Sequence, residues 1–270
     1  MSVTHRFALC VSGAIALGAY EAGVVAQLYE DFQEVTKSTD GQVRLVIDVV
    51  AGSSAGAVTG VFLAQALAQN LTPTALRQAL SNLWVRDLDA LSLLSPASDP
   101  AQALSTATSL ENAEAAAPPS PTGLSTYDPA RVCALWISLT SPDGFPSALT
   151  FPRTWKDEPT STPVTFYPKS YRDYSPFLFC GSAIKYASEP IEHVNDSWNW
   201  NQLRDATWDE VRESGTASGA FPVAFRTRTI ERDLKLYPET WAVLTGSPTS
   251  PPPRGPAGTP LSSEAPLHYV

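Results

Sequence analysis

A serine flanked by small residues is the feature of this sequence with the clearest chemical potential. The segment Gly52-Ser53-Ser54-Ala55-Gly56 fits the pattern G-x-S-x-G, with Ser54 at its centre. The segment 47–51 before it, apolar except for Asp48, favours a strand, and 57–68 after it favours a helix. A serine at a sharp strand-to-helix turn is strained, so the residues two places away must be small. The pattern predicts a nucleophile elbow; a tight Gly/Ser turn without chemistry is the alternative.

A second turn of small residues precedes the serine in the chain. It reads Gly13-Ala14-Ile15-Ala16-Leu17-Gly18 and connects a predicted strand to a predicted helix. Backbone N–H groups at the start of a helix can face an anion. A dinucleotide site would need G-x-G-x-x-G, but Ile15 stands where the middle glycine should be, and its branched side chain would obstruct a pyrophosphate. The other interpretation is an oxyanion hole, which needs only one or two N–H groups close to Ser54.

Histidine, the usual general base beside a serine nucleophile, is scarce downstream of Ser54. Only His193, in a polar stretch, and His268, close to the end of the chain, follow it. A conventional Ser-His-Asp triad would have to use one of them. The thin supply favours a mechanism without histidine, and the triad is kept as an alternative.

The composition limits the partners and the compartment. The 270 residues include 27 acidic and 18 basic ones, for a net charge of -9. An acidic surface argues against a nucleic-acid partner and gives no electrostatic attraction to an anionic membrane, so any lipid contact must be apolar. We find no signal peptide and no run of ~20 apolar residues, and therefore expect a cytoplasmic or peripheral membrane location.

The cysteines give no sign of a metal centre. Cys10, Cys133 and Cys180 are widely spaced and form no ligand cluster, so we expect no metal and no cofactor. Cys10 lies in the apolar run 7–11, which is typical of a strand buried on both faces, and we expect its thiol to be buried.

The elements around the two turns alternate between strand and helix. We predict strands at 7–11 and 45–50 and helices at 18–34, 58–68 and 75–85, the last capped by Thr72-Pro73. In the first helix, an apolar side chain recurs every four residues, at Tyr20, Val24, Leu28 and Phe32. This order predicts parallel strands with crossover helices, and such sheets build their sites at the carboxyl ends of the strands.

The rest of the chain is less regular. Residues 95–129 are rich in Ser, Ala and Pro and predict an irregular insertion, either a surface loop or a lid over a lipid site. We predict strands at 148–151 and 164–167, a short helix after Cys180-Gly181, and a Pro-rich loop at 247–260. Three tryptophans in a polar stretch could contact lipid or pack under a loop: Trp198, Trp200 and Trp208.

Three segments together resemble the patatin-like phospholipase family. Residues 12–24 are similar to its glycine-rich oxyanion segment, 48–57 to its nucleophile elbow, and 217–225 to the helix and strand that lead to its catalytic aspartate. The resemblance implies a three-layer α/β/α fold with a mainly parallel central sheet, in a single domain over 1–270. It also implies a lipid acyl hydrolase of the phospholipase A or lysophospholipase type.

The resemblance further implies a serine-aspartate dyad. Ser54 would attack a carboxylic ester, an aspartate would act as general base without histidine, and water would hydrolyse the acyl-enzyme. The amides of Gly13, Ala14 and Ile15, in a turn that ends at Gly18, would form the oxyanion hole.

The sequence departs from the family pattern in two places. Three glycines and a following basic residue are replaced by Gly13-Ala14-Ile15 and Leu17, so a positive φ at Ala14 or Ile15 would be strained. The family's aspartate lies in D-G-G or D-G-A, and no such tripeptide occurs. Asp40-Gly41-Gln42 precedes the serine, and Asp143-Gly144-Phe145 comes too early. We therefore expect the sheet to be incomplete at the C-terminus, the chain to be cut after the strand-like run 267–270, and the fragment to be nearly inactive. A non-catalytic lipid-binding or interaction module is the alternative.

Overall fold

The computed structural model describes residues 2–14, 17–87, 132–147, 149–151, 164–181, 183–186, 203–220, 228–233 and 264–269. In chain order their elements are β1 (Val3–Val11), α1 (Gly18–Ser38), β2 (Val43–Gly52), α2 (Ala55–Gln69), α3 (Pro73–Ser81), a π-helical turn (Asn82–Asp87), β3 (Cys133–Pro146), β4 (Leu149–Phe151), β5 (Val164–Phe166), β6 (Lys169–Cys180), β7 (Ala183–Tyr186), β8 (Arg204–Asp205), α4 (Trp208–Gly219), β9 (Arg228–Asp233) and β10 (Glu264–Tyr269).

The largest sheet has six strands in the order β1-β2-β3-β6-β7-β8. β1, β2 and β3 are parallel, and the register runs from Val3 opposite Val43 to Val11 opposite Gly52. β6 and β7 pair antiparallel, and so do β7 and β8. The fold is therefore an open α/β sheet that begins with the predicted parallel strands and crossover helices and continues with an antiparallel portion.

The chain divides into two compact units. One contains Met1–Leu139, Asp173–Arg228 and Tyr269–Val270, and the other contains Thr140–Arg172 and Thr229–His268. Both predicted turns belong to the first unit. In the second unit, β4 pairs with β5 in an antiparallel hairpin, and β9 pairs with β10. The strands predicted at 148–151 and 164–167 are confirmed.

β1 is less buried than its apolar sequence predicts. It forms one edge of the described six-stranded sheet, Phe7 is exposed, and Cys10 is an exposed free thiol. The prediction of a strand buried on both faces, with a buried Cys10, is wrong. A short apolar run indicates a strand but carries no information on whether that strand has a neighbour on both sides.

Helix α1 buries a face that the four-residue repeat does not identify. Tyr20 and Val24 are exposed, whereas the buried side chains lie one or two positions further along the helix: Ala22, Val25, Ala26 and Tyr29. The helix itself is confirmed and extends to Ser38. Small residues on its inner face allow close packing, and two of the larger apolar residues of the repeat are left on the surface.

Helix α2, which follows the serine, is enclosed on all sides. All of its residues from Ala55 to Ala66 are buried, and it packs against β2, α1, α3 and α4. Two polar side chains are buried with it, and one of them, Thr59, accepts a hydrogen bond of 3.1 Å from Nε1 of Trp84 in the π-helical turn. An interior packed in this way resists movement, so the start of α2 is a rigid platform.

The predicted cap of the third helix is confirmed. Pro73 occupies the first turn of α3, and Oγ1 of Thr72 accepts a hydrogen bond of 3.2 Å from the amide of Ala75. Proline is favoured there because its missing N–H would have no partner inside the helix. The predicted end at residue 85 divides into α3 and the π-helical turn.

The short helix predicted after Cys180-Gly181 is wrong. β6 ends at Cys180, Gly181 turns the chain at φ 60°, and β7 returns antiparallel, with Phe179 opposite Ile184. Trp208 is buried and stacks on Phe179 at 5.0 Å, so it packs inside the fold. Several predictions lie outside the described residues: the insertion at 95–129, the loop at 247–260, His193, Trp198 and Trp200.

Candidate active site

The turn around Ser54 has the geometry of a nucleophile elbow. β2 ends at Gly52, α2 begins at Ala55, and Ser54 is the N-cap between them. Its φ is 54° and its ψ is -124°, a backbone conformation that residues with a Cβ atom rarely adopt. Ser54 is half-buried, so it is not fully enclosed in the core. The predicted strand, sharp turn and helix are all confirmed.

The glycines on either side of Ser54 are required by close backbone approaches. A Cβ atom on Gly52 would lie 2.6 Å from Cα of Ala57, and one on Gly56 would collide with the carbonyl oxygen of Val11. The amide of Ser53 donates a 3.2 Å hydrogen bond to that same oxygen. Gly56 is therefore required by the end of β1, and Gly52 by the backbone of the first turn of α2.

The first turn lies directly beside the serine. A Cβ atom on Gly13 would lie 3.0 Å from Cβ of Ser54 and 3.6 Å from its Oγ. The parallel register, which pairs Val11 with Gly52, brings the two turns to the same edge of the sheet. Ala14 does not have a positive φ, so the strain foreseen at that position is absent. Ile15 lies outside the described residues.

Gly18, the last residue of the first turn, starts helix α1. It is buried, and the ring of Trp84 occupies the space that a Cβ atom would need. Trp84 is itself held by its hydrogen bond to Thr59 of α2. Gly18 thus fixes where α1 begins relative to α2, and with it the far end of the turn that passes Ser54.

The start of helix α2 offers a further N–H group. The amides of Gly56, Ala57 and Val58 donate to the carbonyl oxygens of Ser53 and Ser54 at 2.9 to 3.2 Å. In the described part of the chain, the amide of Ala55 has no acceptor. An unpaired amide at the first position of a helix, next to a hydroxyl, can stabilise negative charge, and the partial positive charge of the helix end adds to the effect.

Sequence reasoning missed two serines that hold the elbow. The amide of Ser54 donates a 2.8 Å hydrogen bond to Oγ of Ser218 in α4, and that hydroxyl donates at 2.6 Å to the carbonyl oxygen of Ser138 in β3. Oγ of Ser138 in turn donates at 3.4 Å to the carbonyl oxygen of Gly52. Ser218 lies in the segment 217–225, but the sequence gives no signal for its role, because its partner is a backbone amide 164 positions away.

Two aspartates in and before β2 are placed away from the serine. Asp40 is in the turn before β2, whereas Ser54 follows the end of that ten-residue strand. Asp48 forms an ion pair with Arg6 at 2.9 Å. The backbone of Asp143 lies in β3, in the second unit, as does that of His268 in β10. Among the described residues there is also no cluster of three or more metal-binding side chains.

The fold and the elbow define the class of this protein. It is an α/β protein in which a strained serine follows a parallel strand and a glycine turn lies beside it. The family model described as patatin-like phospholipase matches residues 9–242, so the chain belongs to that family of lipid acyl hydrolases. The elbow and the segment 217–225 lie within the match. No curated protein and no solved structure gives a significant match.

Proposed function

We propose that this protein is a serine hydrolase of lipid esters, of the phospholipase A or lysophospholipase type, with Ser54 as its nucleophile. The observation that carries the proposal is the position of Ser54, strained at φ 54° and in contact range of Gly13. A hydroxyl held at a fixed point beside backbone amides is the arrangement that acyl transfer requires. Family membership supports the lipid substrate.

The proposed reaction proceeds through an acyl-enzyme. Oγ of Ser54 attacks the ester carbonyl carbon, its proton passes to a general base, and the carbonyl oxygen becomes an oxyanion. The amides of Gly13, Ala14 and Ile15 would stabilise that charge, and we add the amide of Ala55 to them. The ester C–O bond then breaks, the alcohol leaves with the proton, and water hydrolyses the acyl group from the serine.

We assign the role of general base to an aspartate, following the family resemblance. The sequence contains no Asp-Gly-Gly or Asp-Gly-Ala tripeptide in which that aspartate would normally be found. Asp40 precedes β2 and Asp48 is paired with Arg6, so neither adjoins the elbow. The family resemblance therefore supplies the aspartate.

Peripheral contact with a lipid surface is part of the proposal. Leu17, Tyr20 and Val24 are spaced to share one face at the start of α1, and they are 61%, 70% and 50% exposed. The face begins at the end of the glycine turn that passes Ser54. Because the chain carries a net charge of -9, we expect apolar insertion to dominate over attraction to anionic head groups. In the described residues, no helix is both long enough and apolar enough to cross a bilayer.

A fluorophosphonate probe tests the nucleophile. Such probes phosphonylate activated serines, and mass spectrometry locates the modified residue. We expect label on Ser54, loss of label in Ser54→Ala, and unchanged labelling in Ser53→Ala, which removes the exposed neighbouring hydroxyl. Label spread over several surface serines, or label that survives Ser54→Ala, would contradict the proposal.

A non-catalytic lipid-binding module is the second candidate. The missing Asp-Gly-Gly or Asp-Gly-Ala tripeptide favours it. Turnover of p-nitrophenyl esters or lysophospholipid by the protein, lost in Ser54→Ala, would exclude the module. Lipid binding that is equal in both proteins, without turnover, would support it. A triad esterase would be indicated if His193→Ala abolished turnover, whereas the dyad predicts little effect.

A further inference from the structure

We infer that Ser218 is a positioning residue that keeps the nucleophile in its strained conformation. The inference rests on the proposed role of Ser54 and concerns how that role is maintained. Two hydrogen bonds join the elbow to α4 and to β3, and a third joins α4 to β3.

The hydrogen bonds around Ser218 have a defined direction. A hydroxyl has one proton to donate, and Ser218 donates its proton to the carbonyl oxygen of Ser138 at 2.6 Å. Its oxygen is thereby left to accept the amide of Ser54 at 2.8 Å. Oγ of Ser138 closes the circuit by donating to the carbonyl oxygen of Gly52. The two peptide groups that precede the nucleophile, Gly52–Ser53 and Ser53–Ser54, are therefore each held by one hydrogen bond of this circuit.

Two glycines in α4 bring Ser218 to the elbow. A Cβ atom on Gly215 would lie 2.8 Å from Cγ2 of Val61, and one on Gly219 would lie 3.4 Å from Cγ2 of Val58. The two glycines are four residues apart and share one face of α4, which can therefore approach α2 closely. Ser218 precedes the second glycine, at the end of the helix nearest the turn. This packing places a hydroxyl beside a backbone amide that the strand and the helix leave unpaired.

Loss of this hydroxyl would act on Ser54 through its backbone. The amide of Ser54 would lose its acceptor in a part-buried place, and that is costly. The strained φ would then lack one of the contacts that maintain it, and rotation of the peptide group would relieve both problems. Rotation would carry Oγ away from Gly13, and a displacement of about 1 Å can cost about 100-fold in rate.

The first test measures labelling by the fluorophosphonate in two variants of equal shape. Ser218→Thr keeps the hydroxyl and Ser218→Val replaces it with a methyl group. We expect Ser218→Val to lower the rate constant for labelling of Ser54 about 10- to 100-fold. Ser218→Thr should be labelled at least several-fold faster than Ser218→Val. Equal rates in the two variants, at equal fractions folded, would overturn the inference.

The second test needs no activity. In wild-type protein we expect Ser218→Ala to lower Tm by about 2–6 °C, because the part-buried amide of Ser54 loses its acceptor. In Ser54→Gly the same change should cost less than half as much, because glycine can rotate the freed peptide without strain. An equal loss in both backgrounds would mean that Ser218 only stabilises α4, and it would overturn the inference. A wild-type protein that takes no label would refute the proposed nucleophile, and this test would still decide the role of Ser218.

Discussion

The carbonyl oxygen of Val11 lies where the side chain of any larger residue at Gly56 would begin. Val11 is the last residue of β1 and Gly56 lies in the first turn of α2, so this contact joins the first strand to the helix that follows Ser54. The same oxygen accepts the amide of Ser53. The elbow is thus built on the end of the neighbouring strand, and Gly56 serves that contact as much as it serves the turn.

Gly56→Ala should destabilise the protein by about 1–3 kcal/mol, because the new methyl group must displace backbone atoms in a packed interior. Thermal or urea unfolding measures the change. Gly23→Ala is the matched control: a Cβ atom there meets nothing within 4 Å, and alanine suits the interior of α1 better, so stability should rise by about 0.5–1 kcal/mol. A loss of stability in both variants would show that the contact with Val11 is not the cause.

Two substitutions of Ser54 should separate its strain from its chemistry. Both Ser54→Ala and Ser54→Gly remove the hydroxyl and should abolish labelling. Glycine adopts a φ of 54° without a Cβ clash, so Ser54→Gly should be more stable than Ser54→Ala by about 1 kcal/mol. At an unstrained position the glycine variant would be the less stable one, because glycine loses more entropy on folding. If chemical denaturation finds Ser54→Ala more stable than Ser54→Gly, that result would argue against the strained turn.

Gly13→Ala should impair the reaction more than it impairs the fold. The new methyl group would lie 3.0 Å from Cβ of Ser54, tight enough to push that side chain by a few tenths of an ångström. We expect labelling of Ser54 to slow by about 10-fold or more, with the Tm lowered by only a few degrees. Vesicle binding through α1 should persist in this variant. Labelling at the wild-type rate would place the reactive hydroxyl elsewhere.

The sequence predicts the parts of this structure that depend on local signals. Alternating apolar runs and turns predict β1, α1, β2 and α2, and Thr72-Pro73 predicts the start of α3, because each signal acts within a few residues. The elbow is predictable for the same reason, since G-x-S-x-G contains both the serine and the two glycines that leave room for the sharp turn.

The predictions are wrong or incomplete where the local structure depends on contacts between distant parts of the chain. Whether β1 has one neighbour or two depends on strand order, so the exposure of Cys10 could not be read from its apolar flanks. The hairpin at Gly181 was mistaken for a helix because a short buried apolar run is ambiguous between the two. Ser218 was missed because its role is defined by an amide on another element, and no local pattern encodes that contact.

Cys10 and Cys133 lie in different environments and should differ strongly in reactivity. Cys10 is exposed on β1, whereas burial, assisted by the charge of Asp48, raises the pKa of Cys133 to about 12. The thiolate is the reactive form, so a maleimide or iodoacetamide at pH 8 should modify Cys10 within minutes and Cys133 only after denaturant is added. Peptide mass spectrometry resolves the two sites. Rapid modification of Cys133 in folded protein would show that β3 is open to solvent.

Alkaline pH should destabilise the fold through Tyr29. Burial raises the pKa of Tyr29 to about 12. The single proton of its hydroxyl is shared between the carbonyl oxygen of Leu71, just after α2, at 2.7 Å and that of Ala66, in α2, at 3.3 Å. An unfolded tyrosine ionises near 10. Between about pH 10 and 12 the unfolded chain therefore binds fewer protons at this group, and stability falls as the pH rises. Tyr29→Phe should start less stable at pH 8, having lost these hydrogen bonds, but lose less further stability up to pH 11. Urea titrations at several pH values give the free energy of unfolding of both proteins as a function of pH. If the two curves are parallel, Tyr29 is not the cause of the alkaline sensitivity.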